Sequence, residues 1–471
     1  MPEEFPDGFL WGGATSAYQF EGERDGDGKT RSIVDNSINE NYTDTSVASD
    51  HYHHWREDVA LMQELGMNSY RFSIAWPRII PDGDGAVNSK GIKFYQDLIG
   101  ELLAANIEPV VTIYHFDLPQ ALQDKYGGWR SRQIIKDFDH YCYVLFKAFG
   151  RQVKYWLTIN EQSNMFALPY LLNLSGDESE ERVKFQMNHH MMLANATAIK
   201  RAHQMMPGAV IGPAIGLSPY YALSAKPEDV LAAHKATVFR NDFFNDLYFK
   251  GTYHPEVLNY LNAHDLVPQM QPNDQTILMD PKAKPDYLGI NYYESKTVRA
   301  VPAGTDYAAP QASVTGEEMR VGETRPGLYQ EVENSHLPSN AWHWEIDPMG
   351  LRILLHRVYD RYQVPLMITE NGIGGIETLT ADKRVHDDYR IDFISKHLKE
   401  LRLAINEGVD VIGYEPWSFM DLLSTTNGFR KRYGFVYVNR TDEELLDLKR
   451  YKKDSFYWYQ EIIRSNGASL G

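Results

Sequence analysis

The chain has 471 residues, 43 % of them hydrophobic and 24 % charged, which supplies enough apolar side chains for a sizeable core and excludes intrinsic disorder. Its 47 basic and 64 acidic residues give a formal net charge of −17, a sign that repels nucleic-acid backbones and anionic lipid, so neither nucleic acid nor a membrane surface is an expected partner. The lone Cys142 forms no internal disulfide, no Cys/His metal spacing or stretch of 18 apolar residues occurs, and MPEEFPDGFLWGG lacks the regions of a secretory signal; a cytoplasmic protein is expected.

Short apolar runs rich in β-formers recur along the chain: FLWGGAT (9–15), SYRFSIAW (69–76), EPVVTIYH (108–115), YWLTIN (155–160), VIGPAIGL (210–217), DYLGINYY (286–293), PLMITEN (365–371) and VIGYEPWS (411–418). Nearly continuous apolar runs mark parallel strands buried on both faces. Between them lie segments of helical period, among them 50–67, 90–107 and 391–408, with Gly66 and Gly408 near the helix stops. Strands alternating with helices in this way predict an α/β fold, a single eight-fold β/α (TIM) barrel in which residues 1–471 form one catalytic domain. A doubly wound open sheet is the second choice, but no GxGxxG follows the first strand. The excess length falls in loops at the carboxyl ends of the strands, chiefly 294–345, which is rich in Gly, Pro, Ser and Thr. His51, His53 and His54 in HYHHW lie on a helix where adjacent residues diverge, so they are read as surface or packing residues and no metal is expected.

Polar residues collect where the predicted strands end: Gln19, Arg71, His115, Asn160 with Glu161, Tyr292, Glu370 with Asn371, and Trp417 with Ser418. In a barrel these ends converge on one cleft. Two of the residues are carboxylates, and a carboxylate pair flanking a bond to a sugar is what glycoside hydrolysis requires; no cofactor is needed. Nine Trp and thirty Tyr suit a cleft that lays aromatic faces against sugar rings.

The series FLWGGATSAYQFEG (9–22), YRFSIAWPRI (70–79), HFDLPQAL (115–122), TINEQ (158–162), GINYY (289–293), ITENG (368–372) and GYEPWS (413–418) resembles the successive signatures of family 1 glycoside hydrolases. The resemblance implies a retaining β-glycosidase with Glu161 as acid/base and Glu370 as nucleophile. The family motif usually reads NEP, and here Gln162 replaces the Pro. Arg71 is expected to hold Glu370 ionised and Tyr292 to orient it, while burial and the charge of Glu370 keep Glu161 protonated. A retaining enzyme places its carboxyl groups about 5–5.5 Å apart. By the same resemblance Gln19, His115 and Asn160 bind sugar hydroxyls, Trp417 forms the platform under the ring, and Trp344 lines the aglycone side.

The segment after the last strand, DLLSTTNGFRKRYGFVYV (421–438), has Ser424 where relatives that take plain glucosides carry an acid. Ser424, Lys431 and Tyr433 match the spacing of the phosphate pocket of 6-phospho-β-glycosidases; Arg430 and Arg432 are left as surface charge. Thr425 stands where phospho-β-galactosidases place a Trp, which favours the gluco substrate. The expected substrate is a 6-phospho-β-glucoside, such as phosphorylated cellobiose or an aryl glucoside phosphate. That implies a functional link to an importer that phosphorylates sugars, and a homo-oligomer stays open. The alternatives are a 6-phospho-β-galactosidase, an unphosphorylated β-glucosidase, and a catalytically dead sugar-phosphate-binding protein.

Overall fold

A computed structural model describes residues 3–36, 45–166, 179–306, 322–425 and 427–471. The Asn41-Tyr42-Thr43 sequon lies outside them, as does the centre of the 294–345 insertion. Each apolar run contains a strand: β1 (Leu10–Trp11), β2 (Ser69–Ser73), β3 (Glu108–Tyr114), β4 (Tyr155–Asn160), β5 (Val210–Gly216), β6 (Leu288–Asn291), β7 (Leu366–Glu370) and β8 (Val411–Tyr414). All neighbouring pairs are parallel, in the order β1-β8-β7-β6-β5-β4-β3-β2. The ring closes just past β1, where Ala14 bridges Arg71 on one side and Trp417 on the other.

Side chains alternate across each strand, which divides the core in two. Trp156 packs edge-on against Phe146 of the helix Ile134–Phe149, so its neighbour Leu157 points the opposite way, into the barrel. There it joins Val110, Ala214, Tyr287 and Met367, all fully buried, in a cluster separate from the main core. This plug fills the barrel below the strand ends and leaves the carboxyl-terminal mouth for polar residues.

The helix His51–Leu65 ends at Gly66, whose φ of 89° is the left-handed value that glycine tolerates and whose N–H caps Gln63 and Met62. His51 is buried 2.7 Å from Asp58, while His53 and His54 bond to Asp50 and Glu57 at 2.6 and 3.1 Å. No group of three metal-ligating side chains occurs among the described residues, and none of their helices is long and apolar enough to cross a membrane.

The long insertion is more ordered than its composition indicates. Strands Lys296–Arg299, Thr324–Arg325 and Tyr329–Val332 join Tyr220–Ala222, from the loop after β5, in a four-stranded sheet. It stands beside the barrel mouth, to which it contributes Tyr220, Lys296 and Glu331.

Candidate active site

Glu370 ends β7 and is held from two sides. Arg71 Nη1 donates to Glu370 Oε1 and to the Thr369 carbonyl at 3.1 Å, Nη2 to Asn160 Oδ1 at 2.6 Å, and Nε to Thr112 Oγ1 at 3.0 Å. With all three guanidinium nitrogens engaged and the side chain fully buried, Arg71 is a fixed charge aimed at one carboxylate oxygen. The other oxygen, Oε2, accepts from the hydroxyl of Tyr293 at 2.6 Å.

This corrects the expectation for Tyr292, whose hydroxyl donates to the Asp347 carbonyl at 2.6 Å and whose ring lies against His397 outside the barrel. The reason is the two-residue period of the strand. Asn291 faces inward, where its amide donates to Glu161 Oε1 at 2.8 Å, so Tyr292 faces outward and Tyr293 inward again. The motif GINYY contains both tyrosines, and counting from the inward Asn291 identifies the second.

Glu161 is the first residue beyond β4. Its φ of +44° is left-handed, a conformation that costs a non-glycine residue about 1–2 kcal/mol, and its N–H is tied to the Ala214 carbonyl at 2.8 Å. The turn aims the side chain across the mouth, where Oε2 accepts from Asn164 and Oε1 from Asn291. A Cβ at Gly216 would stand 3.1 Å from Oε1, so a glycine on β5 gives the carboxyl its room. Burial first, and then the negative charge of Glu370, push the Glu161 carboxyl up to about 8. Gln162, the departure from NEP, is built in: its amide donates to Asn188 at 2.7 Å and its carbonyl accepts from Tyr248 at 2.7 Å. It thereby pins the backbone next to the acid to two surrounding helices.

Both carboxyl groups line one cavity of about 300 Å³, with Gln19, His115, Tyr293, Trp344, Trp417, Ser424, Thr425 and Tyr433 also in its wall. Trp417 lies nearly parallel to His115, with ring centroids 5.9 Å apart. Burial, with Arg71 nearby, holds the His115 imidazole well below its usual value, hence neutral. Asn160 sits behind it, its amide 3.1 Å from His115 Nε2 and its carbonyl shared by Arg71 and Asn291.

A carboxyl poised as acid opposite one paired with arginine, over an aromatic platform at the mouth of a β/α barrel, is an arrangement for breaking glycosidic bonds. The sequence profile of glycosyl hydrolase family 1 matches residues 1–468. This chain belongs to that family. It is 47 % identical over 476 residues to the aryl-phospho-beta-D-glucosidase BglC of Bacillus subtilis, covering 100 % of this chain and 99 % of that protein. It is 38 % identical to a 6-phospho-beta-glucosidase of Clostridium longisporum, covering 99 % and 98 %. A family 1 b-glucosidase structure from Thermotoga maritima superposes with a TM-score of 0.86 at 35 % identity, over 99 % of each chain.

In this family 1 chain the segment after β8 folds back over the mouth. Ser424 and Tyr433 line the cavity. Lys431 is almost fully buried with its ammonium 3.5 Å from the Trp344 ring centroid. Thr425 Oγ1 lies 3.0 Å from the Tyr18 hydroxyl and 3.4 Å from Gln19 Nε2, which donates more closely, at 2.6 Å, to the Leu423 carbonyl.

Arg430 is exposed. Arg432 is not surface charge: it is buried, bonded to Asp421 at 2.7 Å and to the Val438 carbonyl at 3.0 Å, and stacked 3.9 Å over the Tyr437 ring. Asp421 also accepts from Lys453 at 2.7 Å. Spacing in the Lys431-Arg432 pair carries no sign of this, because the partners come from other segments of the chain. Reading side chains by motif alone therefore missed Tyr293, Asn291, Asn164 and the structural role of Arg432.

Proposed function

We propose that the chain is a retaining 6-phospho-β-glucosidase that acts as a single catalytic domain. The observation that carries this is the placement of Ser424 and Tyr433 in the wall of the cavity that holds Glu161 and Glu370, with the Lys431 ammonium lying against the Trp344 and Tyr433 rings of that wall. Hydroxyl groups donate directed hydrogen bonds to phosphate oxygens and the ammonium supplies point charge, where a carboxylate would repel the group. The names of the similar proteins, an aryl-phospho-beta-D-glucosidase and a 6-phospho-beta-glucosidase, support the same substrate class.

Glu370 Oε2 or Oε1 attacks the anomeric carbon as the bond to the glycosidic oxygen breaks, and Glu161 gives its proton to that oxygen, releasing the aglycone. The glycosyl ester neutralises Glu370. With that charge gone, the coulombic push on Glu161 vanishes and the carboxylate left behind takes a proton from water, which attacks the same carbon and regenerates Glu370. Arg71 and Tyr293 orient the nucleophile. Asn160, through its place beside Arg71 and His115, addresses the 2-hydroxyl, where contacts strengthen in the transition state. Gln19 and His115 take other hydroxyls, Trp417 the ring face and Trp344 the aglycone side. Thr425, too small to act as the Trp of galactosidases, favours glucose over galactose. A phosphorylated substrate places the enzyme in the cytoplasm, downstream of a transporter that phosphorylates its sugar.

The test is hydrolysis of nitrophenyl β-glucoside 6-phosphate beside its unphosphorylated parent and the galactoside 6-phosphate. The expected result is turnover of the phosphorylated glucoside with initial release of β-glucose 6-phosphate, and its near-abolition in Glu370→Gln. Equal cleavage of the parent makes the enzyme a general β-glucosidase, and preference for the galactoside overturns the role of Thr425. Initial release of the α-anomer overturns retention.

A further inference from the structure

We propose that Arg240 and Asn241 are specificity-determining residues for the leaving half of the substrate, and that they select a hydroxylated aglycone, the second sugar of a phosphorylated β-linked disaccharide, over a flat aryl group. The inference rests on the phospho-glucoside reading and adds which of those substrates the cavity is built to take.

The order of the strands fixes where the aglycone lies. In the closed ring β4 and β5 stand across from β8 and β1. Ser424 belongs to the segment after β8, which is tied to the β1 side by the bond from Gln19 to the Leu423 carbonyl at 2.6 Å, so a phosphorylated sugar is drawn to that side. Glu161 follows β4 and lies against Gly216 of β5. In its proposed role it protonates the glycosidic oxygen, and the group attached to that oxygen then extends over β4 and β5.

That wall is polar. Ser163, Ser218, Arg240 and Asn241 belong to it, the small sheet adds Lys296 and Glu331, and Leu217 is the one aliphatic residue among the described residues of the cavity. Arg240 and Asn241 are consecutive, yet both line the cavity. The helix Pro227–Thr237 opens there into a π-type turn, Val238–Asp242, before it continues as Phe243–Phe249. Such turns recur at functional sites. Asn241 is buried and its amide donates to the Ser218 carbonyl at 2.7 Å, which fastens the turn to the loop after β5. Arg240 Nε stands 3.6 Å from Oε2 of Glu323, whose oxygens are bonded more closely to Arg325 and Tyr329, each at 2.7 Å. Glu323 is 1 % exposed and Arg240 19 %. The buried carboxylate thus holds the guanidinium from behind the wall, and a guanidinium has more N–H donors than one such contact uses.

A second sugar brings hydroxyls that bond to the guanidinium and the amide, replacing the water both groups give up. An aryl ring in the same place desolvates them with nothing in return, and a site built for hydroxyls discriminates against a ligand that lacks them.

The experiment measures kcat/KM for cellobiose phosphorylated on the 6-hydroxyl of its non-reducing glucose and for nitrophenyl β-glucoside 6-phosphate, in wild type, Arg240→Gln and Asn241→Ala. The two substrates share the phosphorylated sugar, so their ratio reads the aglycone side alone. Each variant is expected to lower the disaccharide-to-aryl ratio by about tenfold, the order expected for a lost hydrogen bond to substrate. Arg240→Lys, which keeps a charged donor, should recover part of the loss. A ratio unchanged in both variants, or a wild type that turns over the aryl substrate and not the disaccharide, overturns the assignment while the preference for phosphate stands. A ratio unchanged in one variant removes that residue from the role. Wild type that cleaves unphosphorylated nitrophenyl β-glucoside equally well overturns the phospho-glucoside reading itself. Should Arg240→Gln not fold, Asn241→Ala is read by the same ratio.

Discussion

At Glu161 burial and the charge of Glu370 act in one direction, raising the carboxyl to about 8. With Glu161 in the proposed role of acid, its protonated form is the working one, so kcat/KM for a glucoside with a poor leaving group is expected to fall as pH rises through about 8. A pH profile with such a substrate checks this, and with a dinitrophenyl leaving group, which needs no proton, the alkaline fall should vanish. Glu161→Gln is expected to lose about 10²- to 10⁴-fold with the poor leaving group and far less with the good one. The two tyrosines that follow β6 separate as cleanly. Tyr293→Phe removes a donor to Glu370, the proposed nucleophile, and should lower kcat/KM about 10- to 100-fold, the value of a hydrogen bond to a charged group. Tyr292→Phe removes a bond to the Asp347 carbonyl and should cost about 1 kcal/mol of stability with little effect on kcat, read by urea denaturation beside steady-state rates.

Among the elements, the segment after β8 shows how a binding turn is carried on buried charge. Asp421 bonds to Arg432, Lys453 and the Gly434 N–H, and Glu377 pairs with Lys453 and Arg390. The segment that carries Ser424, Lys431 and Tyr433 is therefore anchored on a network closed on itself. Asp421→Asn leaves Arg432 buried beside a neutral group and Lys453 with only Glu377, and should destabilise the protein by about 3–5 kcal/mol, measured as a fall in the denaturation midpoint. Because Arg432 and Lys431 are adjacent in sequence but face opposite ways, one anchors the turn and the other meets the rings. The basic cluster was visible in the sequence; this division of labour was not, since Asp421 and Lys453 reach it from separate segments on either side.

At the scale of the whole molecule, three buried carboxyls among the described residues carry protons at neutral pH. Burial is the leading cause at Glu161, at Asp117 and at Glu415, each raised to about 8. Glu415 stands inside the barrel with Ser69 on one oxygen at 2.5 Å, and a Cβ at Gly12 would lie 1.8 Å from the other. In the unfolded chain these groups ionise near their ordinary values of 3.8 and 4.5. Between there and about 8 the native state binds more protons than the unfolded one, so stability falls as pH rises across that window. Tm should drop from pH 5 to pH 8 in wild type. Glu415→Gln should show a smaller drop, lying above wild type at pH 8 and close to it at pH 5.

The sequence by itself determined the barrel and the family. Strands buried on both faces need unbroken apolar runs, and helices between them need their own period, so all the barrel strands were legible one by one. The two glutamates were legible because each follows such a run. Tertiary structure decided what depends on partners far away in the chain. Whether Tyr292 or Tyr293 faces the mouth follows from the register of β6 beside β7, which shifts between Ile368 and Glu370. The insertion became a sheet because Tyr220–Ala222 supplies the edge on which Lys296–Arg299 pairs. Arg432 became an anchor because Asp421 desolvates with it, while its neighbour Lys431 turned towards the rings of Trp342 and Trp344. Periodicity and composition are local quantities. Pairing, desolvation and the raised pKa values are set by contacts between distant residues, and these exist only once the chain has closed.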